Sequence, residues 1–251
     1  MYHNFITKKW HYFVIATIAI IVILAVVLFI PPATAEKTEN EDPWAFALNP
    51  DRNYLIMVSV QSVYHFGGEY DKKLQPDLIT TKDVVVGDPT KIEKAAYVAF
   101  CLLKDDLAAK GMDIGLYSVY RTEDEQLEVY NYYSNLEGWA ENNTVLPPGM
   151  SEHHTGLLLN IVIKYSEDGN DPVWYTETAE RQEKIPYFKL LHETLADYGF
   201  IDRYPAGKEE FTHSKCEPYE IRFVGSSKIA HIIMDNHLCL EEYLTNRSKY
   251  E

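Results

Sequence analysis

His153 and His154 stand behind Ser151-Glu152 at the end of a Pro147-Pro148-Gly149 loop. That tight, polar context suits a loop that delivers an imidazole into a site, although paired loop histidines also occur as plain surface residues. Seven residues after His153, Asn160 interrupts the apolar run LLLNIVI (157–163). A buried amide costs roughly 1–3 kcal/mol unless it is hydrogen-bonded or ligates something, so Asn160 is either a satisfied core amide or a ligand. A third group, His213, Cys216, Glu217, Glu220 and Arg222, falls within ten residues. On a strand Glu220 and Arg222 share a face with Glu217 at its mouth, which fits either a site or a salt-bridge ladder. The fourth group is Ser118-Val119-Tyr120-Arg121 with Glu125 and Gln126. Arg121, at a strand–helix junction, is suited to gripping a carboxylate with two parallel N–H bonds.

The elements that must position these groups can be read from periodicity. YLIMVSV (54–60) is rich in β-formers and reads as a strand. KIEKAAYVAFCLLKDDLAAK (91–110) has apolar residues at helical spacing and Gly111 just past its end, which places Cys101 as a buried thiol. IGLYSV (114–119) reads as a strand. Thr122 caps a helix that runs to about Leu136, with acids in its first turn. The run 157–163 is a buried strand, 185–198 a helix ended by Gly199, and 220–224 a strand. Residues 227–236 and 240–244 close the chain as helices. The pattern is α+β: a small antiparallel sheet with helices packed around it.

Bulk properties narrow the function. The chain has 251 residues, 46% hydrophobic, enough for one good-sized domain. A formal net charge of −15 argues against nucleic-acid binding, which needs a basic face. No charge occurs between Tyr12 and Ala35. Residues 12–30 are long enough to cross a hydrocarbon core, with Lys8 and Lys9 before them and Glu36, Glu39, Glu41 and Asp42 after. The expected organisation is a cytoplasmic tail (1–11), a single-pass transmembrane anchor (12–30), a polar linker (31–47) and an extracytoplasmic domain (48–251). Ala33-Thr34-Ala35 also has the form of a signal-peptidase site.

The stretches SVYRTEDEQ (118–126), PPGMSEHHTGLLLN (147–160) and YGFIDRYPAGKEEFTHSKCEPYEIRFVG (198–225) together resemble the VanY-type D-alanyl-D-alanine carboxypeptidases. These are zinc peptidases that trim bacterial peptidoglycan stems and share their fold with the hedgehog signalling domain. The likeness covers about residues 45–245. Together with the N-terminal anchor, it implies a bacterial, membrane-tethered protein that acts on or recognises peptidoglycan stem peptides. It implies Glu217 as the water-activating base and Arg121 as a substrate- and oxyanion-binding group, with Ser118, Gln126 and Ser151 also lining the substrate. The zinc ligands fall on His153, Asn160 and Glu220, where the family has His, Asp and His. An amide oxygen is a poor zinc ligand and a carboxylate a fair one, while the summed ligand charge is unchanged at −1. The resemblance thus leads to zinc, to a harder divalent metal, or to no metal. His154, His213 and Cys216 are the conceivable substitute ligands. Two functions follow: a metallo-carboxypeptidase, or a catalytically impaired pseudo-peptidase that binds stem peptides or a wall-synthesis partner.

Overall fold

The computed structural model describes residues 41–60, 76–136, 145–166, 172–175 and 188–250. The expected cytoplasmic tail, the anchor and most of the linker lie outside them. Among the described residues no helix is long and apolar enough to cross a membrane.

Two short strands, β1 (Leu78–Thr81) and β2 (Thr90–Glu93), pair antiparallel. Helix α1 (Lys94–Ala109) follows directly and buries Ala95, Ala96, Ala99, Phe100, Leu103 and Leu107, one apolar stripe at helical spacing. The helix read from the sequence over 91–110 is therefore shorter at its start, because Lys91 to Glu93 belong to β2. Cys101 is half-buried rather than fully enclosed. Strand β3 (Asp113–Ser118) leads to α2 (Glu123–Ser134). Thr122 caps α2 as expected: its hydroxyl accepts from the Glu125 N–H while the Glu125 carboxylate accepts from the Thr122 N–H. Gln126 is the buried residue of this helix.

Strand β4 (Leu158–Tyr165) organises the main sheet. It pairs antiparallel with β3 on one edge, and with β5 (Val173–Tyr175) and β7 (Glu220–Phe223) on the other. Strand β6 (Phe200–Asp202) adds to the outside of β7. The remaining helices are α3 (Phe188–Thr194), the single turn α4 (Glu209–Thr212), α5 (Ser227–Asp235) and α6 (Leu240–Asn246). Trp44, Phe100, Ile114, Leu159 and Phe223 meet in the core between α1 and the sheet. A second cluster around Ile201, Ile233, Leu240 and Tyr243 seats α5 and α6. Antiparallel sheet and surrounding helices are the α+β architecture the pattern leads to.

Two expectations change. The stretch 54–60 forms no continuous strand; Ser59 alone takes part in a bridge. Ile56 and Val58 are buried, but the carbonyls of Tyr54 and Ile56 accept from the Arg222 guanidinium instead of a neighbouring strand. The boundary of the domain also moves: Trp44 is fully buried, and the compact unit begins at Asp42, inside the stretch read as linker.

Candidate functional site

The sheet register assembles the site. Ser118 on β3 lies opposite Asn160 on β4, and Asn160 lies opposite Glu220 on β7. Directly opposed residues share a sheet face, so Ser118, Asn160 and Glu220 form one polar row across three strands. A register shift between Leu116 and Ser118 turns the end of β3 toward this row.

His153 reaches the row from a 3-10 turn, Glu152–Thr155. Gly156 ends the turn at φ +69, in the left-handed region, and a Cβ there would stand 3.1 Å from the Glu93 backbone nitrogen. The turn is locked to the end of β3. Arg121 N–H donates to the His153 carbonyl at 3.2 Å, and His154 Nδ1–H donates to the Arg121 carbonyl at 2.8 Å. Gly149 N–H donates to His154 Nε2 at 3.0 Å. Both nitrogens of His154 are thus spent on the scaffold, and it is no substitute ligand. His153 Nδ1–H donates to the Val119 carbonyl, which leaves Nε2 as an acceptor 3.7 Å from Glu220 Oε1. Burial, and then the nearby Arg121 charge, hold the His153 imidazole well below its usual pKa, so it is neutral.

Glu220 is pushed up to about 7 by burial, while Arg121 and a hydrogen bond from the Asn160 amide pull it down. Among the described residues, Asn160 Oδ1 is buried without a hydrogen-bond partner. Arg121 is held by neutral groups: Nε and Nη2 donate to Ser118 Oγ at 3.1 and 3.0 Å, and Nη1 donates to Gln126 Oε1 at 3.1 Å. Gln126 is itself anchored through Nε2 to the Leu146 carbonyl at 2.6 Å. Glu217, 6% exposed, accepts from the Tyr219 hydroxyl, and its backbone N–H donates to the Tyr204 carbonyl at 3.1 Å. His153, Asn160, Glu220, Arg121 and Ser118 are therefore brought together, with Gln126 behind the arginine. Ser151 is buried, and its hydroxyl accepts from the His153 N–H as the cap of the turn.

A salt network beneath the site escaped the sequence reading. The Glu152 carboxylate accepts from Arg203 Nε at 2.8 Å and from Arg222 Nε at 2.9 Å, with all three side chains at most 1% exposed. Arg203 also forks onto Glu241 at 2.7 and 3.1 Å. Arg222 thus pairs with Glu152 and not with Glu220. A second buried pair, Arg52 and Glu93, stands behind the turn: Arg52 Nη2 donates to the Thr155 carbonyl at 3.1 Å. The one clue in the sequence was the charge of Arg222 between Ile221 and Phe223.

Comparison with known proteins now adds a family. Residues 89–226 match the VanY family, D-alanyl-D-alanine carboxypeptidase. The putative carboxypeptidase YodJ of Bacillus subtilis is 32% identical over 207 residues, 80% of this chain and 70% of that protein. Among solved structures, the LdcB LD-carboxypeptidase, described with its basis of peptidoglycan recognition, superposes at TM-score 0.62 with 29% identity, over 79% of this chain and 88% of that one. A VanY D,D-pentapeptidase from a VanB-type resistance cassette, in complex with Zn(II), superposes at 0.57 with 28% identity, over 76% and 98%. The chain belongs to the VanY family of D-alanyl-D-alanine carboxypeptidases.

The residues at the metal position do not fit a catalytic zinc. Such sites use three ligands drawn from His, Cys, Asp and Glu. Here there is one imidazole, one carboxylate already engaged by an amide, and the amide itself. Among the described residues no group of three His, Cys, Asp or Glu side chains could hold a metal ion. His213, exposed beyond α4, and Cys216 do not complete the set.

Proposed function

We propose that this chain recognises the C-terminal end of peptidoglycan stem peptides with the VanY fold, without the hydrolytic zinc chemistry of its relatives. The observation that carries this reading is Arg121. Its guanidinium is fixed on one side by Ser118 and Gln126, both neutral, so that its charge and remaining N–H donors stay available to a carboxylate. Family membership and the peptidoglycan recognition described for LdcB supply the ligand class. With an amide at Asn160, and Glu220 already engaged by that amide, the site lacks the three ligands that would hold a Lewis acid to activate water near Glu217. Glu217 then serves as a buried acceptor beside Tyr219 at the mouth of the site. An N-terminal anchor over residues 12–30 in a bacterial cytoplasmic membrane, with the domain outside, places this pocket at the wall.

Binding of a muramyl pentapeptide to the full chain, followed by calorimetry, tests the reading. The expected result is saturable binding, at least tenfold weaker in Arg121→Ala, with no D-alanine released in the presence of zinc. Stoichiometric zinc together with turnover abolished by Glu217→Gln would establish a hydrolase instead.

A further inference from the structure

The polar row leaves an unusual charge arrangement. Glu220 is the charged group that bears most strongly on Arg121, and Arg121 is the charged group that bears most strongly on Glu220. Yet the two do not pair: the hydrogen-bond partners of Arg121 are Ser118 and Gln126, and among the described residues Arg121 forms no ion pair. A cation and a carboxyl group thus act on each other across the polar row without a direct ion pair. Around Glu220 stand two further acceptors with lone pairs to spare. His153 Nε2 is an acceptor because Nδ1–H is committed to Val119, and it lies 3.7 Å from Glu220 Oε1, too far for a hydrogen bond. Asn160 Oδ1 is buried with no hydrogen-bond partner among the described residues. A buried acceptor left so costs about 1–3 kcal/mol until a donor arrives.

We infer that the former metal position is a binding site for an ammonium group, and that the pocket takes a small free α-amino acid as a zwitterion. The carboxylate would lie on Arg121 and Ser118. The ammonium group would donate to Glu220, Asn160 Oδ1 and His153 Nε2. An ammonium has three N–H donors and no acceptor, which matches the acceptor atoms that remain: Asn160 Oδ1, His153 Nε2 and the lone pairs of Glu220 that the Asn160 amide does not use. A single positive charge also suits a site with a single carboxylate better than a dication does. The Arg121 half of this site rests on the peptide-recognition reading above, whereas the ammonium half stands on the row of acceptors alone. A peptide's terminal residue would offer a lone amide N–H at the same place and leave most of the acceptor set unfilled. The free amino acid is therefore the better complement, and it is the class of product released whenever a carboxypeptidase trims a stem.

Calorimetric titration of the full chain with glycine, L-alanine and D-alanine, each compared with its N-acetyl derivative, tests the inference. Acetylation keeps the carboxylate and removes the ammonium. At least one free amino acid is expected to bind tenfold or more tightly than its acetylated form. Glu220→Gln, which keeps the side-chain shape, should collapse that ratio to near one. If no free amino acid outcompetes its acetyl derivative, or if Glu220→Gln leaves the ratio intact, the ammonium site does not exist. Stoichiometric zinc on the wild-type chain by elemental analysis would overturn it equally. Binding of pentapeptide without any preference for free amino acids would sink this inference alone. Amino-acid binding without peptide binding would sink the peptide-recognition reading and leave this one standing.

Discussion

Removing the Glu152 carboxylate should cost this domain more than almost any other single change. Its two oxygens accept from Arg203 Nε and Arg222 Nε at 2.8 and 2.9 Å in a region where none of the three side chains is more than 1% exposed. Each hydrogen bond to a charged group is worth about 1.5–3 kcal/mol, so the two together amount to about 3–6 kcal/mol. That range agrees with the roughly 3–5 kcal/mol lost when one partner of a buried ion pair is removed. In Glu152→Ala, Arg203 would keep Glu241, whereas Arg222 would keep only the carbonyls of Tyr54, Ile56 and Phe223. A loss of about 4 kcal/mol corresponds to about 8–16 °C in Tm for a domain of this size. Glu152→Gln, which retains one acceptor, should lose about half as much. Glu241→Ala should lose less still, because Glu241 is 13% exposed and touches one arginine only. Urea and thermal unfolding of the three variants would measure this order. A loss below about 1 kcal/mol in Glu152→Ala, or a larger loss in Glu241→Ala, would refute the reasoning.

Three further outcomes are expected. Burial pushes the Glu93 carboxyl up to about 7 against the pull of Arg52. The folded state then binds more protons than the unfolded one between about pH 4.5 and 7, so this contribution to stability is complete at low pH and declines as pH rises to about 7. Glu93→Gln should remove that decline from the pH profile of unfolding free energy. Gly156→Ala should cost about 1–3 kcal/mol by urea unfolding, since a Cβ at φ +69 meets Leu78 at 2.8 Å and the Glu93 backbone at 3.1 Å. Asn160→Asp would put a second carboxylate directly opposite Glu220, about 5 Å away by strand geometry. At an effective dielectric of about 20 the repulsion is about 3 kcal/mol, visible as a lowered Tm at pH 8 that recovers at pH 5. Joined to Glu220→His, the same change should create a zinc site, so that zinc raises the Tm of the double variant and not of the wild type.

Much of the fold was legible because its longest elements carry strong local signals. The apolar stripe of α1, the Thr122 cap of α2 and the apolar run of β4 each name their own element. The stretch 54–60 misled because the Arg222 guanidinium took two of its carbonyls, leaving Ser59 alone in a bridge. At the site, His153 and Arg121 could be read from motif spacing. The row Ser118, Asn160, Glu220 depends on sheet register, which no local window contains. The Glu152 network is further out of reach: Arg203 and Arg222 lie 51 and 70 residues along the chain from their shared carboxylate.

That network also bears on how such a protein can change its chemistry. The turn that presents His153 is riveted from below by Glu152 and from the side by Arg121 and Val119. None of these rivets passes through the polar row itself. The side chains at positions 160 and 220 therefore take no part in the bonds that fix the turn. Mutation can trade one side chain for another there while the turn that carries His153 stays held in place.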